Sequence, residues 1–168
     1  AQPKSPYGLQ KYVNELSCRL WSEVYGLSTV SLRYFNVYGP RFDPNGAYAL
    51  VIGRFIDQRI KGLPLTIAGN GTNTRDYTHI RDVVRANLLA AESLNVGRGE
   101  VINIGAGRNI SVNNLAAMIG GPTTNIKERL EPRDTLADNR KAKDLLGWMP
   151  EIRLEDGIAE LKKLAGLS

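Results

Sequence analysis

Ser5-Pro6-Tyr7-Gly8-Leu9-Gln10-Lys11 opens a helical pattern, and residues 28–35 beyond it read as a strand. Ser5 suits an N-cap and Pro6 the first helical position. Leu9, Val13, Leu16, Leu20 and Val24 then recur at helical spacing up to Gly26, a residue able to end the helix. Val30, Leu32 and Tyr34 alternate across 28–35, as the side chains of a strand do. The helix also carries chemistry. Tyr7 and Lys11 stand four residues apart and so share a face. A lysine ammonium beside a phenol favours the phenolate, a base able to take a proton from a sugar or alcohol hydroxyl near neutral pH.

The alternation of helix and strand continues. Residues 36–46 form a loop around Gly39-Pro40, and a helix over 47–61 stops at Gly62. A short strand at 65–67, an Asn70-Gly71 turn and an extended run at 74–80 follow. Asp82 is placed as the cap of a helix to about residue 94. A buried strand spans 101–104, and Ser111 caps a helix that ends before Gly120-Gly121-Pro122. Asp138 caps a short helix ending at Gly147, and 154–165 is a last amphipathic helix. The class is α/β.

Composition narrows the function. Of 168 residues, 42% are hydrophobic and 23% charged, the balance of a globular protein with a real core. No run of about 18 apolar residues offers a membrane span. The net charge of +5 raises nucleic-acid binding, but the basic residues are scattered among acids and form no block, so no nucleic-acid partner is expected. Fourteen arginines against eight lysines suit planar recognition of phosphates. The single cysteine, Cys18, excludes an internal disulfide, fits a reducing compartment, here the cytoplasm, and is expected to pack in the interior. His79 is the only histidine, and no ligand spacing points to a metal.

Seven tyrosines and eight lysines in this length give about 0.3 Tyr-x-x-x-Lys pairs by chance, so the pair alone does not identify a catalyst. The order of motifs does more. After Tyr7 and Lys11 come Leu32-Arg33-Tyr34-Phe35-Asn36-Val37-Tyr38-Gly39-Pro40-Arg41, then Thr74-Arg75-Asp76-Tyr77-Thr78-His79-Ile80 and Asp82-Val83-Val84. Ile102-Asn103-Ile104-Gly105-Ala106-Gly107, Ala137-Asp138 and Leu145-Leu146-Gly147-Trp148 complete the set. Over essentially the whole chain this series resembles the C-terminal part of the NAD-dependent epimerase/dehydratase family, the extended short-chain dehydrogenases.

The resemblance implies a Rossmann-type fold with a smaller α/β domain that binds a nucleotide sugar. Residues 1–39 would be the trailing helix and strand of the NAD-binding domain. Residues 40–168 would be mainly the nucleotide-sugar domain, with 82–107 returning to the NAD-binding sheet. It implies NAD-dependent epimerisation of a UDP-sugar at carbon 4, of the UDP-glucose/UDP-galactose type. Tyr7 is then the base, and Lys11 tunes it and contacts the nicotinamide ribose. Tyr34 and Phe35 lie near the nicotinamide, and a strand's alternation leaves a core role open for one of them. Asn36 bonds the substrate near its pyrophosphate, and Arg75 contacts the UDP phosphates unless it merely pairs with Asp76. Leu50 and Val51 meet the sugar diphosphate through their backbone, and the stretch from Leu65 to Ala68 reads uracil.

A second phosphate arginine is placed at Arg129, one deletion away from the family pattern, with Glu131 in place of an aspartate and Arg133 as the alternative. Arg81 stands where the family commonly has an acid. Thr135 is small where a large residue excludes N-acetylated sugars, which leads to the expectation that such sugars are accepted. The family's dimerisation bundle includes the tyrosine-bearing helix, so a homodimer is expected of the full-length protein, although the same apolar stripe serves equally as core.

Two family features do not appear: the glycine-rich turn that holds the NAD pyrophosphate and the Ser or Thr upstream of the tyrosine. The chain is therefore expected to be part of a longer enzyme and inactive alone. A sugar dehydratase or decarboxylase of the same family, and a nucleotide-sugar-binding unit without catalysis, remain as alternatives.

Overall fold

A computed structural model of the chain describes residues 2–43, 50–128 and 132–167. The first helix, α1 (Pro6–Tyr25), begins as its residues dictate. Ser5 Oγ accepts from Gly8 N at 3.0 Å, and Gly26 ends the helix in the left-handed conformation, φ 65°, with its N–H on Ser22 O. Strand β1 (Thr29–Tyr34) follows. It pairs in parallel with β6 (Arg98–Ile104), Leu32 opposite Ile102 and Tyr34 opposite Ile104.

Three more strand pairs complete the described sheets. Val37–Tyr38 (β2) lies parallel to Thr78–His79 (β5). Leu65–Ala68 (β3) lies parallel to Thr123–Ile126 (β8), and Thr74–Asp76 (β4) runs antiparallel to Asn109–Ser111 (β7). The remaining helices are α2 (Val51–Ile60), α3 (Ile80–Glu92), α4 (Val112–Ile119), α5 (Arg140–Leu146) and α6 (Leu154–Leu164). The class is α/β, as the alternation of elements required.

Apolar side chains gather into two cores. One joins Ile52, Phe55 and Ile56 of α2 to Leu65, Ile67, Leu115, Ile119, Ile158 and Leu161. The other joins Ile102 and Ile104 of β6 to Val83, Ala86, Leu146 and Trp148, with Val30 and Leu32 of β1 packed against them. Helix α5 and Trp148 thus belong with the β1–β6 pair, although most of 108–168 was expected in the other unit.

Helix α1 lies on β1 and β6 through a polar face. Ser22 Oγ donates to Gly97 O at 2.9 Å, Thr29 Oγ1 donates to Cys18 O at 2.8 Å, and Arg33 forks onto Glu15 with two bonds of 2.6 Å. A Cβ on Gly99 would lie 2.5 Å from Arg19 Cα, so the close approach of helix and strand needs glycine there. The stripe of Leu9, Val13, Leu16, Leu20 and Val24 turns away, each 43–64% exposed. No described residue of α1 is buried, so the core reading of the stripe fails among the described residues, and Cys18 is only half-buried.

Asp82 does not cap α3. His79 does, its Nδ1 accepting from Arg81 N at 3.2 Å. Asp82 sits inside the first turn, buried, and its carboxylate accepts from Glu151 N and Ile152 N at 3.1–3.2 Å. His79 Nε2 stands 3.4 Å from Glu160 Oε2 without the alignment of a hydrogen bond. Burial pushes the imidazole pKa down, Arg81 adds to this, and Glu160 opposes it.

The folded state therefore holds this proton less tightly than the unfolded chain does. Stability is full above the unfolded value of about 6.5 and falls as pH drops through it toward the lowered folded value. With one histidine in the chain, the urea midpoint is expected to fall between about pH 7.5 and about 5.5. In His79→Asn, which keeps a cap acceptor, the slope should flatten. Equal slopes in the two proteins would refute the assignment.

Candidate functional site

Tyr7 stands in the first turn of α1 and Lys11 one turn later, its Nζ 5.5 Å from the centroid of the tyrosine ring. Both border a cavity of about 670 Å³ between this flank of the helix and β1, lined also by Asn14, Cys18, Ser31 and Tyr34. Tyr7 is 58% exposed, so a ligand in the cavity reaches it. The Tyr34 hydroxyl donates to Asn87 Oδ1 at 2.9 Å. Phe35 is half-buried and its N–H donates to Ile104 O at 3.0 Å, so neither aromatic belongs to the buried core.

Past Phe35 the chain bends sharply. Asn36 has φ 33°, a left-handed conformation that asparagine tolerates better than most residues. Its amide turns inward: Nδ2 donates to Asp76 O at 2.8 Å and lies 3.4 Å from Thr135 Oγ1. The expected substrate donor is thus spent inside the protein, and Oδ1 is the atom left to meet a ligand.

Arg75 lies on β4. Its Nη1 donates to Thr74 O at 2.9 Å and to Arg133 O at 3.0 Å. The alternative reading, a pairing of Arg75 with Asp76, is not the arrangement found. That carboxylate instead takes the backbone N–H groups of Ala106, Gly107 and Ala137 at 2.7, 3.0 and 3.0 Å. Burial still pushes its carboxyl above the ordinary range, partly offset by those three donors. Residues 133–135 run beside β4, with Thr74 N on Arg133 O and Thr135 N on Thr74 O. Thr135 Oγ1 then takes Asp76 N at 3.3 Å, where the next carbonyl of a ladder would be expected.

The other expected residues divide. Leu50 and Val51 sit at the start of α2, where no side chain among the described residues caps the helix. Leu65 turns its side chain into the core and its N–H onto Pro122 O at 2.8 Å, which removes it as a ligand contact. Alternation turns the backbone of Thr66 and Ala68 to the other edge of β3, where Gln58 Oε1 takes Thr66 N at 3.1 Å. Ala68 is the residue of that stretch left to read a base. Arg129 lies outside the described residues. The role of Asp76 was not foreseen, and its signal was the Gly105-Ala106-Gly107 turn whose N–H groups it collects. Among the described residues no cluster of His, Cys, Asp or Glu could hold a metal, and no helix is long and apolar enough to cross a membrane.

A model of the NAD dependent epimerase/dehydratase family matches residues 1–105. A solved UDP-glucose 4-epimerase from Thermotoga maritima, in complex with UDP-glucose, is 42% identical with a TM-score of 0.86. This chain aligns over 94% of its own length and 52% of that one. A UDP-glucuronic acid 4-epimerase from Bacillus cereus, in complex with UDP-glucuronic acid and NAD, is 37% identical over 97% of this chain and 54% of that one, TM-score 0.85. A UDP-N-acetylglucosamine 4-epimerase from Methanobrevibacter ruminantium M1, in complex with UDP-N-acetylmuramic acid, is 35% identical, TM-score 0.89, over 96% and 53%. The chain spans about half the length of the curated relatives it matches.

Proposed function

Because this chain belongs to the NAD dependent epimerase/dehydratase family, we propose that it carries the base and the substrate-binding part of an enzyme that epimerises a UDP-sugar at carbon 4. The observation that carries the reading is the Tyr7–Lys11 pair on a cavity that Tyr34 also lines. The cavity fits the nicotinamide-ribose end of NAD: the Lys11 ammonium and Tyr7 hydroxyl suit ribose oxygens, and the Tyr34 ring suits a flat heterocycle. NAD, when bound, supplies the hydride exchange at carbon 4.

The chain's own residues do the rest. Tyr7 takes the proton from the 4-hydroxyl and returns it. Lys11 gives that oxygen a cationic neighbour. Arg75 binds the diphosphate with its planar fork, and Asn36 Oδ1, an acceptor, suits a hydroxyl of the substrate. The N–H groups at the start of α2, by Leu50 and Val51, are assigned as donors for the diphosphate charge. Ala68 offers backbone to the uracil. Arg129, with Arg133 as the alternative, supplies the second cation.

Thr135 sets the tolerance for the sugar. A half-buried threonine leaves room where a larger side chain would fill it. UDP-N-acetylglucosamine is expected to be turned over alongside UDP-glucose. Thr135→Tyr should lower kcat/KM for the acetylated sugar by about tenfold or more while sparing UDP-glucose. Equal loss on both sugars would remove this role.

The outward apolar stripe of α1 supports a homodimer formed through this helix, since five large apolar side chains in a row are costly to leave in water. Residues 1–39 and 82–107 are assigned to the cofactor-binding unit and the remainder mainly to the nucleotide-sugar unit, with α5 and Trp148 packed on the former. The single cysteine, unpaired among the described residues, is compatible with the cytoplasmic location assigned to the protein. The test is a 4-epimerase assay with UDP-glucose and NAD on the protein as its gene encodes it. Interconversion with UDP-galactose is expected. Release of carbon dioxide from UDP-glucuronate, without epimerisation, would replace this reading with a decarboxylase.

A further inference from the structure

We propose that Asp76 is the positioning residue of the diphosphate subsite: its buried carboxylate clasps the 106–107 turn and the 133–137 segment and so sets Arg75, Asn36 and Thr135 in register with one another. The inference rests on the reading of Arg75 as the diphosphate contact. Asp76 is 0% exposed, and burying a carboxylate is costly unless its oxygens are satisfied. Backbone N–H groups satisfy them. Oδ1 takes Ala106 N, and Oδ2 takes Gly107 N and Ala137 N, from segments 30, 31 and 61 residues away in sequence.

The main chain of the same residue is equally engaged. Its carbonyl accepts from Asn36 Nδ2, and its N–H meets Thr135 Oγ1. One residue therefore holds the end of β1, the turn after β6 and the strand-like run at 133–137. Arg75 precedes it on β4, and alternation sends its side chain to the opposite face. The guanidinium leans on Arg133 O, in the segment that the carboxylate pins through Ala137 N. The arginine is thus placed by a strand whose own position Asp76 decides. There is no slack at the clasp: a Cβ on Gly105 would lie 2.3 Å from Ala137 Cβ and 2.9 Å from Asp76 Oδ2.

Asp76→Asn keeps the volume but turns one acceptor into a donor, so at least one backbone N–H loses its partner. The experiment titrates UDP and uridine separately into the protein as its gene encodes it, with circular dichroism as a check on folding. UDP affinity is expected to fall by about tenfold or more, the scale of one orphaned buried donor, while uridine affinity stays within about twofold. Thr135→Val, isosteric and remote from the carboxylate, should show the same split at smaller size, and it carries the test if Asp76→Asn does not fold. In an Arg75→Ala background, Asp76→Asn should cost no further UDP affinity, as expected when one residue acts through the other.

Equal losses for UDP and uridine, unchanged UDP binding in a folded variant, or an additive loss in the Arg75→Ala background would each overturn the proposal. A wild-type chain that does not bind UDP overturns both this inference and the function on which it rests. Wild-type binding with unaltered variants overturns this inference alone.

Discussion

Tyr7→Phe is expected to lower kcat for UDP-sugar epimerisation by about 10²–10⁴-fold, the usual worth of a positioned acid–base group. That corresponds to about 3–5 kcal/mol of barrier. The substitution removes one oxygen from an exposed ring at the cavity rim, so folding and the diphosphate contacts at Arg75 are left alone. The loss should fall on kcat, with KM for the UDP-sugar nearly unchanged, because the proton moves only in the transition state. Steady-state kinetics on the protein as its gene encodes it decide this. A Phe variant within about tenfold of wild type would place the base elsewhere and leave Tyr7 as a surface aromatic.

Trp148→Ala should cost about 3–5 kcal/mol of stability, as large-to-small changes at fully enclosed aromatic sites do. Trp148 is 0% exposed in the core that joins β6, α3 and α5. Its Nε1 donates to Asp82 O at 2.9 Å, and the Arg85 guanidinium lies 5.8 Å from its ring. Deletion opens a cavity and removes the lock between α3 and the segment after α5 at once. For a domain holding 5–15 kcal/mol in total, much of the population should unfold in moderate urea. The chain has one other tryptophan, Trp21, half exposed on α1. Loss of the blue-shifted component of the fluorescence therefore reports Trp148 alone. A urea-derived loss under about 1 kcal/mol would show that the core closes over the gap.

What the sequence revealed and what it hid follow a physical line. Local signals read correctly: Ser5 with Pro6 starts α1, Gly26 ends it, and Ser111 Oγ takes Asn114 N at the start of α4. Each depends on residues within a turn of one another. The strands β2, β7 and β8 were not legible, because runs of two to four residues show no period and exist only through their partners.

Asp82 was placed as a cap on propensity, but donors at Glu151 and Ile152, about 70 residues on, draw it inward, and His79 serves in its place. The apolar period of α1 was plain, whereas its direction was not. Periodicity shows that a stripe exists, not that a sheet will meet the polar face instead. In the same way the family pattern pointed to Arg75, Asn36 and Thr135 as ligand contacts. That Asn36 and Thr135 both bond to Asp76, while Arg75 bonds to Arg133 O, is a matter of tertiary hydrogen bonds.

The outward stripe on α1 has a thermodynamic consequence for the base at its head. In the homodimer proposed above, the partner copy that covers Leu9, Val13, Leu16, Leu20 and Val24 binds the folded helix and not the unfolded chain. It therefore adds stability that grows with the logarithm of its concentration. Tyr7 and Lys11 lie on the same 20-residue helix, so the integrity of the proton-transfer geometry becomes subject to mass action. Dilution alone, with no change in any residue near the cavity, would loosen the platform on which the reaction depends.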